Sequence, residues 1–394
     1  VGGLGKHVTE LIPALGRAGV EVHLVTPRRA GGAPREAIAP VTFADGSTGE
    51  SVVYRVEPPA SDSASFYAMA ERTNESLGAL VRSLWDDVGP FDLIHVHDWL
   101  VGFAGESIKH AVKAPLLATI HATEYGRCRG HIANDMSRAI NLAEWRLTYE
   151  SWRVICCSRF MANEVGTALG TPPNKVDVIP NGVDTRRFDV LQGEDLREFR
   201  RGFARPDEAV IFYVGRVVHE KGVHLLVEAM PGILTQRPAK LVVAGTGDSL
   251  NAVRQLAFDR GVGANCYFTG FIPDATRDRL FRIADVAAFP SLYEPFGIVA
   301  LEAMAAKAPV VASEVGGLAE VLRHAENAIT VFPNRVDSLT WGILHTLQYP
   351  DWARQRAATA YRMVREEYNW DTIARQTLGV YRQIASERKL VVWR

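Results

Sequence analysis

Cysteine is scarce in this chain: four residues in 394, Cys128, Cys156, Cys157 and Cys266, with no C-x-x-C pair. That excludes a disulfide scaffold and a thiolate zinc site. Cys156 and Cys157, inside WRVICCS, read as inert thiols of a buried strand in a reducing cytoplasm. The eleven histidines are scattered, and no H-E-x-x-H motif suggests a metalloenzyme, so no metal is expected. An excess of charge of one sign is also missing. Forty-four basic residues face 45 acidic ones, for a net charge of -1, which gives no reason to expect a nucleic-acid partner. No apolar run reaches the roughly 18–20 residues of a membrane span, and no signal-peptide pattern opens the sequence, so no integral membrane segment is expected. Repeats of 20–50 residues and low-complexity segments are lacking. Finally, no strand pattern precedes the opening VGGLGKHV. A βαβ unit begins with a strand, and that strand is expected to lie ahead of Val1.

What is present is the pattern of a two-domain α/β protein. The composition, 47% hydrophobic and 23% charged, is that of a globular chain. The length exceeds what one core holds, about 250–300 residues. Short β-branched runs alternate with helical periodicity. The first half carries candidate strands at 20–26, 51–56, 92–98, 115–123, 153–158 and 176–182, with helices at 6–18, 64–87 and 136–150. The second repeats the logic at 209–216, 239–247, 265–271, 286–291, 308–313 and 328–332. Apolar strands joined by helices predict parallel sheets covered on both faces. The expected organisation is an N-terminal doubly wound domain over 1–188 and a charged connection over 189–208. A second, C-terminal doubly wound domain over 209–365 follows, then a helix over 366–394 packing back on the first domain. Ligands of such sheets bind at the carboxyl ends of strands, and with two domains the natural place is the cleft they share.

The strand ends carry the chemistry. YVGRVVHEKGV places Gly215 and Arg216 after a strand and Lys221 before a helix, a pattern of cations and free amides suited to phosphate. The same pair could be a solvated loop. VVAGTGDS is glycine-rich but lacks a full G-x-G-x-x-G fingerprint, which speaks against a nicotinamide dehydrogenase. SLYEPFGIVALEAMA, from residue 291, sets Glu294 in a loop before a helix at 298–306 and Glu302 inside that apolar helix. Phe296, Gly297 and Ile298 offer amides at the helix start. A carboxylate buried there needs a polar partner: sugar or ribose hydroxyls would serve, and so would an arginine. EVGGLAEVL adds another Gly-Gly turn into a helix. In the first half, HVHDWL ends a strand with His97, Asp98 and Trp99, and TIHATEYGR ends another with His121, Glu124, Tyr125 and Arg127. Such groups suit hydroxyl binding. A single strand-end histidine is more often structural.

These motifs, with VIPNGVDTRRF and ADVAAFPSLYEPFG, in this order and spacing, resemble a retaining glycosyltransferase of GT-B architecture, of the family 4 and glycogen (starch) synthase-like group. The most specific element is the Glu-x7-Glu from Glu294 to Glu302, and the likeness spans nearly the whole chain. It implies two Rossmann-like domains facing a central cleft. It implies transfer of a hexose, glucose foremost, from ADP-glucose or UDP-glucose to a glucan, with no cofactor or metal. The alternatives are a small-molecule, lipid-linked or surface-polysaccharide acceptor, or a non-catalytic sugar-nucleotide-binding protein. By the resemblance, Arg216 and Lys221 bind the donor diphosphate, Glu302 binds the ribose, and Glu294 lies near the transferred sugar with the amides of Phe296 and Gly297. His121 matches the active-site histidine. Asp98, Glu124 and Tyr125 stand on the acceptor side, and Gly2, Gly3 and Gly5 match the loop over the donor phosphates. The lysine that glycogen synthases carry two residues ahead of this Gly-Gly pair would lie ahead of Val1.

Overall fold

The structure, a computed structural model, describes residues 3–28, 32–59, 65–191 and 193–393. The chain divides into two compact units, one formed by residues 1–181 with 370–394, the other by residues 182–369. The last segment therefore belongs to the first unit. The expected connection at 189–208 lies inside the second, where Arg197–Arg201 is helical.

Thirteen strands are described. The first unit holds β1 (His23–Pro27), β2 (Arg35–Thr42), β3 (Thr48–Val56), β4 (Ile94–His97), β5 (Leu116–Ile120), β6 (Arg153–Cys156) and β7 (Val176–Val178). They form a three-stranded sheet ordered β1-β3-β2 and a four-stranded parallel sheet ordered β4-β5-β6-β7. The second unit holds β8 (Ala209–Val214), β9 (Ala239–Ala244), β10 (Cys266–Gly270), β11 (Val286–Phe289), β12 (Val310–Ser313) and β13 (Ile329–Val331). These make one all-parallel sheet ordered β10-β9-β8-β11-β12-β13.

One strand departs from the sequence reading. β2 pairs antiparallel with β3 as a hairpin across Asp45-Gly46, and Ser47 N donates to Asp45 Oδ1 at 2.9 Å. The Asp-Gly turn signal was present. Pro40 and the exposed Arg35, Glu36 and Ala37 hide the strand, because an edge strand with one wet face lacks the apolar run of a central one.

The core of the first unit explains the place of the chain's end. Leu11 and Leu15 of the helix Gly3–Arg17 and Leu117 and Ile155 of β5 and β6 pack with Trp370, Ile373, Ala374, Val380 and Ile384 of the helix Trp370–Leu390. Polar contacts fix the register: Arg17 donates twice to Asp371, at 2.8 and 2.6 Å, and Trp370 Nε1 donates to Glu10. The last helix is thus a layer of the first unit's fold. Truncating fully buried Ile373 (Ile373→Ala) is expected to remove about 2–5 kcal/mol, the usual cost of deleting a buried aliphatic side chain, read as a lower urea midpoint.

Candidate active site

In the second unit the chain runs from β8 outward to β9 and β10, then returns to the other side of β8 to lay down β11, β12 and β13. The loops leaving β8 and β11 therefore part in opposite directions. The crevice at their carboxyl ends is where open α/β sheets bind ligands. The loop after β8 carries Gly215, Arg216 and Lys221; the loop after β11 carries Glu294, Phe296 and Gly297.

Main-chain bonds lace these loops together. Leu292 N donates to Glu220 O at 2.8 Å, and Gly317 N, beyond β12, donates to Glu294 O at 2.9 Å. Gly317 is required by proximity, since a Cβ there would lie 2.0 Å from Pro295 O. Gly297 is required by its backbone. It begins the helix Ile298–Ala305 with φ 100°, and a Cβ would fall 2.5 Å from Leu318 Cδ2. Its constraint is set by conformation and packing.

On this frame the side chains converge. Lys221 Nζ lies 2.7 Å from Glu294 Oε2, with Ser291 Oγ 3.4 Å from the same oxygen. Arg216 is 63% exposed and reaches Glu220 Oε1 at 3.1 Å. Phe296 is buried. A cation from one loop, a carboxylate from the next and a helix N-terminus, each positioned by main chain, can hold a polyanion and a polyol together. A cavity of ≈ 630 Å³ past the ends of β12 and β13, lined by Glu314, His324, Phe332, Arg335 and Trp341 among others, includes none of these residues.

Glu302 has an arginine partner, one of the two kinds the sequence allowed. It is 2% exposed, and Arg187 Nη2 donates to Oε1 at 2.8 Å, with Arg277 Nη2 at 3.9 Å from the same oxygen. Asp278 joins the network, 3.5 Å from Arg187 and 3.0 Å from Arg277. The apolar helix keeps its carboxylate because arginines on two other helices compensate it. VDTRRF contained Arg187, but no local signal linked it to Glu302, 115 residues on.

In the first unit, His97 ends β4 and His121 follows β5. His97 Nδ1 and His121 Nε2 are 3.1 Å apart, and Asp98 Oδ1 accepts from His121 N at 2.7 Å. Burial pushes the Asp98 carboxyl up to about 6, against the pull of Arg127 and of the His121 amide. Gly3 and Gly5 lie in the first turn of the helix Gly3–Arg17, where the sequence suggested a loop; Gly2 lies outside the described residues. That helix delivers His7, which is buried. Burial holds His7 down at about 4 and His95 at about 3, and it holds His97 and His121 well below 6.5, with the neighbouring imidazoles adding to the effect. These rings are neutral hydrogen-bonding groups at neutral pH.

Glu124 starts a short helix, its Oε1 accepting from Ser137 Oγ at 2.7 Å, while Tyr125 is 38% exposed. Sequence reasoning missed the group that organises this corner. Glu144 is 1% exposed, and its two oxygens accept from Glu124 N at 2.9 and 3.0 Å. Burial pushes its carboxyl up to about 8. It sits mid-helix without a motif, so only the tertiary contact reveals it. His7 stood in the quoted GGLGKHV motif, and its role was equally invisible before the fold placed it.

Comparison with known proteins bears on the whole chain. The model of the family described as Glycosyltransferase Family 4 matches residues 1–187, and that described as Glycosyl transferases group 1 matches residues 195–363. The chain is 40% identical to an uncharacterized glycosyltransferase of Methanocaldococcus jannaschii, over 97% of this chain and 94% of that one. It is 31% identical to a glycogen synthase of Mycobacterium tuberculosis, over 97% of this chain and 91% of the other. Its fold is shared with a sucrose-phosphate synthase from Thermosynechococcus elongatus: TM-score 0.81, 24% identity, 98% of this chain and 94% of that one covered.

The buried ionisable groups set a pH dependence. The four histidines have depressed pKa values in the fold, so the stability they confer is complete above about 6.5, the unfolded value. It is lost as pH falls toward about 4 and the unfolded chain takes up protons that the fold refuses. Asp98 and Glu144, with raised values of about 6 and about 8, act oppositely and lose stability as pH rises through those values. Four histidines outweigh two acids on the acid side. The urea midpoint is therefore expected to fall from pH 6.5 to pH 5, and His95→Gln to flatten that slope.

Proposed function

The chain belongs to the glycosyltransferases of family 4 and group 1, with the GT-B fold, and on that premise we propose that it transfers glucose from a nucleotide-sugar, ADP-glucose or UDP-glucose, to a glucan chain with retention of anomeric configuration. The observation that carries this reading is the Lys221–Glu294 pair at the strand-order reversal of the second unit, on the loop that also carries Arg216 and ahead of the helix Ile298–Ala305. Support for glucan as acceptor comes from the 31% identity to a glycogen synthase along 97% of the chain.

In this reading the second unit binds the donor. Lys221 and Arg216 neutralise the diphosphate, and the amides of Phe296, Gly297 and Ile298 donate to sugar or phosphate oxygens. Glu294 orients Lys221 and faces the transferred sugar. Glu302, held by Arg187, accepts ribose hydroxyls. The first unit presents neutral His121 as a hydrogen-bonding group for the sugar, with Asp98, Glu124 and Tyr125 for the acceptor. As the bond from the anomeric carbon to the diphosphate lengthens, charge accumulates on the departing phosphate oxygens. Fixed cations and amides stabilise that charge without reorganising. Attack by the acceptor hydroxyl on the same face preserves the configuration and places the hydroxyl proton beside the leaving diphosphate.

Two positive charges at the diphosphate do the work of a divalent cation, so transfer is expected to persist in excess EDTA. Loss of activity there, restored by magnesium or manganese, would refute the metal-free reading. Glu294→Gln keeps the size of the side chain but removes the charge that orients Lys221. It is expected to lower turnover about 10²–10³-fold, as for loss of one element of transition-state charge stabilisation, with the far-ultraviolet circular dichroism unchanged. Donor turnover with and without glycogen decides the acceptor. Elongation supports the proposal, transfer confined to small or lipid-linked acceptors replaces glucan, and donor binding without turnover identifies a non-catalytic sugar-nucleotide-binding protein.

A further inference from the structure

His7, His97 and His121 are brought together from the first helix and from the ends of β4 and β5, so that one ring nitrogen of each lies within 4.8 Å of the others. His7 is 6% exposed, and its Nδ1 lies 2.6 Å from Asn181 Oδ1. A carboxamide oxygen only accepts, so Nδ1 carries the proton and Nε2 of the neutral ring is a bare lone pair. That Nε2 is buried with no hydrogen-bond partner. A buried acceptor left unpaired costs about 1–3 kcal/mol. The nearby groups that could have donated are committed. His95 is engaged on both nitrogens, by Tyr381 Oη at 2.8 Å and Thr119 Oγ1 at 2.7 Å. The His97–His121 contact holds at most one proton between two nitrogens in neutral rings.

We propose that His7 Nε2, His97 Nδ1 and His121 Nε2 form a three-imidazole site for a divalent transition metal of the Zn²⁺ class. Three features support it. Imidazole nitrogens select Zn²⁺, Co²⁺, Ni²⁺ and Cu²⁺ over Mg²⁺ and Ca²⁺. Tetrahedral ligation at about 2.0–2.1 Å spaces nitrogens by about 3.4 Å; the His97–His121 pair is already at 3.1 Å, leaving a modest approach by His7. The Nδ1–H of His7 is held by a side-chain oxygen, the support that fixes the tautomer of a ligating histidine. On binding, the proton shared by His97 and His121 moves to the outer nitrogen of its ring, and both inner lone pairs face the ion. Three protein ligands leave a fourth position for water. Glu106, His110 and Glu150, the other candidate cluster among the described residues, are a poorer choice, because Lys109 and Arg146 already hold the two carboxylates. The ion is inhibitory and plays no part in turnover. That corollary rests on the proposed contact of His121 with the sugar, whereas binding itself does not.

The test is Co²⁺ titration of the metal-stripped full chain at pH 7.5. Expected are visible d–d absorption saturating at about one equivalent, displacement by Zn²⁺, and a rise in unfolding temperature with Zn²⁺. His7→Gln and His97→Gln should each weaken binding at least tenfold and Asn181→Ala about tenfold, while His95→Gln binds normally. Circular dichroism checks that each variant is folded. Absence of the cobalt spectrum at millimolar metal overturns the site, as does full-affinity binding in both folded His7 and His97 variants. Binding that leaves glucosyl transfer unaffected supports the site and removes His121 from the sugar contact. Absence of binding in an active transferase removes the site and leaves the proposed function standing.

Discussion

The proposed chemistry depends on one ion pair. Lys221 Nζ and Glu294 Oε2 meet at 2.7 Å, from two loops that leave adjacent parallel strands in opposite directions. The lysine side chain is 19% and the glutamate 11% exposed, so each would be a poorly solvated charge without the other. An ammonium has three donors, and the carboxylate uses one while pinning the rest in place. The pair is held from behind by main-chain bonds from Leu292 to Glu220 and from Gly317 to Glu294, so its geometry follows from the sheet and not from flexible side chains. A departing diphosphate would therefore meet charge that is already in position.

The first unit works by the opposite electrostatic principle. Its strand ends collect four imidazoles in a space that excludes charge, and mutual proximity reinforces what burial begins. Neutral rings can present a lone pair or an N–H without adding a fixed charge. Asp98 and Glu144, both drawn toward their protonated forms by burial, spend their oxygens on backbone amides of the β5–helix corner. They shape the loop bearing His121, Glu124 and Tyr125. Among the described residues, no helix is long and apolar enough to cross a membrane.

Much of the architecture was legible because its signals are local. Central strands announced themselves as apolar runs, and all six strands of the second unit lie where the sequence placed them, shortened by a residue or more at their ends. The hairpin strand Arg35–Thr42 escaped because its pairing is with one neighbour and its outer face is wet. The helix at the chain's start includes Gly3 and Gly5, which read locally as a loop because glycine is a poor helix former. Lys221 and Glu294 were both recognised as site residues, yet that they pair with each other could not be read from positions 73 apart.

The sequence by itself determined two α/β domains built on parallel strands, the chemical types at their strand ends, and a Glu-x7-Glu whose second member required a polar partner inside an apolar helix. Those properties follow from periodicity and from the cost of burying charge, which act along the chain. Tertiary structure alone decided who the partners are: Arg187 and Arg277 for Glu302, Lys221 for Glu294, Asn181 for His7, and the amide of Glu124 for Glu144. Each is a contact between distant segments. Its existence depends on strand order and helix packing, and neither is encoded in the spacing of the residues that meet.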